Sequence, residues 1–140
     1  MVRRLGHSEA YLPELTLVAE EDDQVIGFIM LTQLSIQGED DSNPALALAP
    51  VAVLPEFQGQ GIGGALVNAA HEKAKAAGHQ IIILLGHADY YPRFGYQQCQ
   101  KYGIQLPFEV PPENAMVLGL AANSLEGVSG VVVYPTAFFE

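Results

Sequence analysis

The sequence predicts a mixed α/β fold of the α+β type, a β-sheet with antiparallel and parallel parts and helix against it. Three observations predict it. Segments 15–19 and 25–31 are apolar runs separated by the acidic stretch 20–24, the pattern of an antiparallel hairpin. The run 45–54 is apolar and partly β-branched, as a buried strand is, and leads into Gly59-Gln60-Gly61-Ile62-Gly63-Gly64. Beyond those glycines lies a segment of helical periodicity and then 81–85, Ile-Ile-Ile-Leu-Leu, with no polar interruption. Such a strand is covered on both faces and lies parallel to its predecessor through a right-handed crossover.

The 140 residues suit one domain, 1–140, because a chain of this length buries roughly two-thirds of its unfolded surface around one core. Hydrophobic residues at 49% and charged residues at 16% exclude a disordered chain. The apolar run 45–55 is too short and too interrupted by proline to span a bilayer. Polar residues follow Met1-Val2-Arg3-Arg4-Leu5 where a signal peptide would be apolar, so a cytoplasmic protein without membrane contact is expected. The net charge of −10, with only six Lys and Arg, argues against nucleic acid, which needs a basic stripe. It also means that a phosphate site must rely on local main-chain dipoles. Cys99 is the one cysteine and reads as a small buried apolar residue, while His7, His71, His79 and His87 form no metal-ligand spacing.

Residues 1–13 carry little signal: Arg3 and Arg4 suit a helix end, and Pro13 ends whatever precedes it. The acidic, turn-rich 38–44 predicts an exposed loop, and Pro50 predicts a bulge in the strand 45–54. After the glycines, Ile62, Leu66, Val67, Ala70 and Ala74 fall on one helical face, and Gly78 stops the helix. Segment 90–94 predicts one or two helical turns ended by Gly95-Tyr96. Segments 97–105 and 115–121 predict strands, with Pro107, Pro111 and Pro112 between them. Ligands bind at the carboxyl ends of strands in such sheets, so the glycine turn and His87 are expected to share a cleft.

At a strand-to-helix turn, unpaired N–H groups and the positive end of the helix dipole favour a phosphate, and glycine lets it approach the main chain. Gly59-x-Gly61-x-x-Gly64, with Asp89 downstream, formally matches a dinucleotide-binding fingerprint. That fingerprint normally opens a series of alternating parallel strands and helices, whereas here it follows an antiparallel hairpin. A nucleotide-triphosphate P-loop lacks its Lys-Ser or Lys-Thr.

A third reading adds a second motif. Gln58-x-x-Gly61-x-Gly63 resembles the acyl-CoA-binding motif of the GNAT-type N-acetyltransferases, and Tyr90-Tyr91-Pro92-Arg93-Phe94-Gly95-Tyr96 is similar to the family's second signature. Val133-Tyr134-Pro135-x-x-Phe138 also looks like the tail of a small branch of predicted acetyltransferases. The resemblance implies a central splayed sheet with flanking helices and acetyl-CoA as acyl donor, with no metal. It implies that Gln58 and the main-chain N–H groups of Gly59, Gln60, Gly61, Gly63 and Gly64 hold the pyrophosphate, and that Val51 and Val53 offer their backbones to pantetheine. Arg93 would steady a phosphate, or is simply surface charge. Tyr91 is the family-matched general acid. No acidic residue lies in 45–53, where many members place a base, so His87 is the candidate, since histidine exchanges protons near neutral pH; Asp89 or a water are substitutes. The acceptor would be a small-molecule or peptide amine.

Against the family's pattern, the chain is expected to enter at the end of the usual first strand and helices. The acceptor side is therefore expected to be open or completed by another chain, and a homodimer would cover the exposed sheet edge. A non-catalytic acyl-CoA binder or sensor and a dinucleotide-binding protein are the competing function classes.

Overall fold

The computed structural model of the chain describes residues 4–8 and 15–134. Their strands are β1 Arg4–Ser8, β2 Leu15–Glu21, β3 Gln24–Gln37, β4 Ser42–Val53, β5 Ile81–Leu85, β6 Gln97–Gln98, β7 Ile104–Gln105, β8 Ala115–Gly119 and β9 Gly130–Val133. The helix α1 is Ile62–Ala76, and short 3-10 turns cover Pro55–Phe57, Tyr91–Phe94, Cys99–Tyr102 and Pro112–Asn114. Arg3, Pro13 and the tail motif through Pro135 and Phe138 lie outside the described residues. No helix among the described residues is long and apolar enough to cross a membrane. Two compact units result, one from the described residues up to Thr32 with Leu48–Ala77, the other from Gln33–Ala47 with those from Gly78 onward.

In the first unit β2 is paired antiparallel with β1 (Arg4↔Glu20 to Ser8↔Thr16) and with β3 (Leu15↔Leu31 to Glu21↔Gln24), and β4 follows β3 in the sheet. Asp22 and Asp23 close the hairpin with φ of 52° and 64°, the doubly positive pair that matches the twist of a two-residue connection. The turn expected over 20–24 thus narrows to two residues. The expectation that Arg4 closes a helix is overturned, since it begins β1. A lone basic pair is a weak local signal, and cross-strand pairing outweighs it. Strand β1 stands at the end of the sheet order, with β2 as its neighbour.

The buried residues of α1 are Ile62, Leu66, Val67, Ala70 and Ala74, the face read from periodicity. A Cβ on Gly27 would stand 3.0 Å from the Ala52 carbonyl oxygen and 3.2 Å from Leu66 Cδ1, so glycine there lets helix and β4 close onto β3. Strand β4 runs from Ser42 to Val53 and includes Pro50.

In the second unit β4 and β5 pair in parallel (Leu46↔Ile82, Ala47↔Ile83), β8 lies antiparallel to β5, and β6 pairs with β8. Strand β9 pairs antiparallel with β3 and parallel with β7. Ile36, Ile81, Ile83, Cys99, Ile104, Val117 and Val132 are among the residues of its core. The mixed sheet and crossover helix are therefore as predicted, but four expectations change. The loop 38–44 contracts to 38–41, because β4 begins at Ser42 and Gly38 N–H donates to the Asp41 carbonyl at 2.9 Å. The strand 97–105 is broken by the turn Cys99–Tyr102 and by Gly103 at φ 72°, which together let Cys99 and Ile104 both reach the core. The strand at 115 ends at Gly119, and Leu85 is 43% exposed where cover on both faces was expected.

Candidate functional site

In the first unit, the end of β4 is fixed by Leu54 N–H donating to the Ile26 carbonyl at 2.8 Å. The 3-10 turn Pro55–Phe57 follows, its φ pre-set by Pro55 at the start. Gln58 then reaches back, and its Nε2 donates to the Val53 carbonyl at 2.9 Å. That carbonyl is occupied, and the turn is tied to the strand end. Gln58 thus acts on the shape of the turn through its side chain, a role the motif alone did not reveal.

Gly59 and Gly61 both sit at φ 80°, the left-handed region that an L side chain adopts only with strain. A Cβ on either would meet nothing within 4 Å, so glycine is required here by conformation and the outer face of the turn is open. Gly61 is the N-cap of α1, without a side-chain cap. The first bond onto the helix is Ala65 N–H to the Gly61 carbonyl at 3.0 Å, which leaves the N–H groups of Gly61, Ile62, Gly63 and Gly64 with no acceptor inside the helix. The first turn of α1 carries no acidic residue, and Lys73 and Lys75 stand in its last turn. The dipole is therefore unopposed at its positive end, and an anion can be bound there.

In the second unit, β5 ends at Leu85 and the chain turns through 86–90 into Tyr91–Phe94, with Gly95 at φ 100° ending that turn. His87 is exposed in the loop after the strand, and its carbonyl accepts from Tyr90 N–H at 3.1 Å and Tyr91 N–H at 3.4 Å. The Tyr91 ring packs edge-on against Tyr90 at 5.0 Å and Tyr96 at 6.0 Å between centroids. Burial, with a smaller contribution from Tyr90, pushes the Tyr91 phenol above its ordinary value, so it keeps its proton at neutral pH. Arg93 folds onto its own turn: Nε donates to the Tyr90 carbonyl at 2.9 Å and the guanidinium lies 4.6 Å from the Tyr90 ring centroid. Those contacts tie the side chain to its own turn, as a structural role requires.

The predicted residues thus fall into two groups. Val51, Val53, Gln58, Gly59, Gln60, Gly61, Gly63 and Gly64 belong to the first unit, and His87, Tyr91 and Arg93 to the second. Sequence reading missed Asn114, which hydrogen-bonds Gly86; a single asparagine in a proline-rich loop carries no motif.

Comparison with known proteins adds a family to this geometry. Residues 13–98 match the family model for the acetyltransferase (GNAT) domain. The chain is 38% identical over 115 residues to the uncharacterized N-acetyltransferase YjhQ of Escherichia coli K12, covering 81% of this chain and 64% of that protein. It therefore spans just under two-thirds of that relative's length. It is 31% identical over 125 residues to the uncharacterized N-acetyltransferase YhbS of the same organism, covering 89% of this chain and 74% of YhbS. The crystal structure of E. coli YhbS in complex with CoA matches with a TM-score of 0.82 at 31% identity, over 90% of this chain and 69% of that one. A GNAT family acetyltransferase from Brucella melitensis in complex with acetyl-CoA matches with a TM-score of 0.68 at 34% identity, over 89% and 68% of the two chains.

Proposed function

We propose that this chain, which belongs to the GNAT acetyltransferase family, transfers an acetyl group from acetyl-CoA to a primary amine by direct attack on the thioester. The observation that carries the reading is the open glycine turn at the head of α1, with four N–H groups lacking a helical acceptor and no acidic side chain in the first turn. The two relatives whose structures hold CoA and acetyl-CoA support the same donor.

In this reading the main-chain N–H groups of Gly59, Gln60, Gly61, Gly63 and Gly64 hold the pyrophosphate, and Gln58 keeps the turn in shape by its bond to the Val53 carbonyl. With that carbonyl engaged, the backbones of Val51 and Val53 bind the pantetheine arm, and the Val53 N–H polarises the thioester oxygen as charge develops on it. His87 takes a proton from the substrate ammonium, and the free amine so formed attacks the thioester. Tyr91, held neutral by burial, gives its proton to the departing thiolate. Arg93 has further donors to offer a phosphate beyond those it spends on the Tyr90 and Asp89 carbonyls. Residues 1–140 work as one domain on a small-molecule or peptide amine.

Calorimetry with acetyl-CoA and a thiol-release assay over a panel of amines test this together. Gly63→Val is expected to abolish detectable acetyl-CoA binding, and Tyr91→Phe to slow thiol release about 100-fold while leaving binding intact. Unchanged binding by Gly63→Val refutes the pyrophosphate site. Intact binding with no turnover on any amine assigns the non-catalytic acyl-CoA binder, and binding of NADH in place of acetyl-CoA assigns a dinucleotide site.

A further inference from the structure

Gly86 is the residue after β5, and it prolongs the β5–β8 ladder by one pair. After Leu85↔Ala115 the next backbone bond is Gly86 N–H to the Asn114 carbonyl at 3.0 Å. The Asn114 side chain returns the contact, its Nδ2 donating to the Gly86 carbonyl at 2.8 Å in a part-buried position. Both polar groups of Gly86 are thus held by one residue. Asn114 is itself fixed, because it closes the turn Pro112–Asn114, where its N–H donates to the Pro111 carbonyl at 2.9 Å and two prolines restrict the chain.

Glycine at 86 is not required by its backbone, which is absent from the positive-φ residues. It is required by space. A Cβ there would overlap Cε2 of Tyr91, approach Cδ2 to 2.6 Å and stand 3.2 Å from Leu84 Cδ1. The Tyr91 ring lies flush on the Gly86 backbone, with Tyr90 and Tyr96 against its other sides. A clamp on Gly86 therefore sets the depth at which that ring sits.

We infer that Gly86 and Asn114 are positioning residues for the reaction: Asn114 pins Gly86 through both backbone groups, and Gly86 provides the flat seat that places the Tyr91 phenol. The inference rests on the reading of Tyr91 as the general acid. A displacement of about 1 Å in a group of this kind costs roughly 100-fold in rate, which is why so small a seat matters.

The test combines a spectroscopic readout with kinetics. In protein carrying 13Cζ-tyrosine, the Tyr91 resonance is assigned with Tyr91→Phe and titrated in wild type, Gly86→Ala and Asn114→Ala. The titratable rings packed on the Tyr91 ring are Tyr90 and Tyr96, with Phe94 beside them and Arg93 over the Tyr90 ring, and none of them is altered. Both variants are expected to shift the resonance and lower its titration midpoint as the ring gains water. Thiol release from acetyl-CoA should fall about 100-fold in Gly86→Ala and about tenfold in Asn114→Ala, with KM for acetyl-CoA within about threefold. In a Tyr91→Phe background Asn114→Ala should cost nothing further, which a general loss of structure would not produce. An unmoved Tyr91 resonance in both variants overturns the clamp, whatever the turnover. Equal rate losses with and without the phenol show that Asn114 acts elsewhere and overturn the inference too. Full turnover by Tyr91→Phe removes the acid reading, and the resonance alone then decides the clamp.

Discussion

Substituting Gly61 separates the shape of the turn from its bulk. The residue lies at φ 80° and ψ 7° with nothing within 4 Å of a would-be Cβ, so Gly61→Ala introduces left-handed strain and no clash. That strain is about 1–2 kcal/mol. Gly59, Gln60 and Gly61 are exposed, so no packing holds an alanine in the strained state, and the free turn relaxes away from it. The loss of stability is then small, a fall in Tm of about 3 °C or less for a chain of this size. A ligand seated on the turn must restore the left-handed geometry, and the full strain appears in its binding. The Kd for acetyl-CoA, measured by calorimetry, should rise about 5- to 30-fold. Gly61→Asn, whose side chain tolerates this region, should lose markedly less. A Kd within twofold of wild type for Gly61→Ala, or a larger loss for asparagine than for alanine, refutes the argument that backbone shape at residue 61 forms the site.

Leu66 is fully buried on the helix face, so Leu66→Ala should cost about 2–5 kcal/mol, read as a lower urea midpoint at unchanged slope. Burial pushes the Cys99 thiol up to about 12, so the folded protein should resist iodoacetamide at pH 8 and react only in denaturant. The same shift has a signed consequence for stability. Cys99, Tyr91 and Tyr134 all have folded values raised by burial, so their contribution is complete below the unfolded values, 9.0 for Cys and 10.0 for Tyr, and is lost as pH rises through the folded ones. The urea midpoint should therefore fall between pH 8 and 11, and Cys99→Ala should flatten that fall. A Cβ on Gly130, at φ 133°, would collide with the Gln37 carbonyl, so Gly130→Ala should destabilise by more than about 2 kcal/mol in the same assay.

Local chemistry made much of the fold legible. The face Ile62, Leu66, Val67, Ala70 and Ala74, the stop at Gly78 and the parallel strand Ile81–Leu85 all came from periodicity and glycine placement, and the structure keeps them. The elements that escaped are those without a local pattern. β1 exists through pairing with β2, β9 through pairing with β3 and β7, and the break at Cys99–Tyr102 through the demand that Cys99 and Ile104 share one core.

The candidate site divides in the same way. The sequence by itself determined the glycine turn and the Tyr90–Tyr96 segment, because left-handed φ, a free helix N-terminus and a turn-ending glycine are properties of a few adjacent residues. Only tertiary structure decided that Gln58 bonds the Val53 carbonyl, that Arg93 folds over Tyr90, and that Asn114 grips Gly86 from 28 residues away. Hydrogen bonds and ring seats of this kind depend on where distant backbone comes to rest, and no spacing along the chain encodes that.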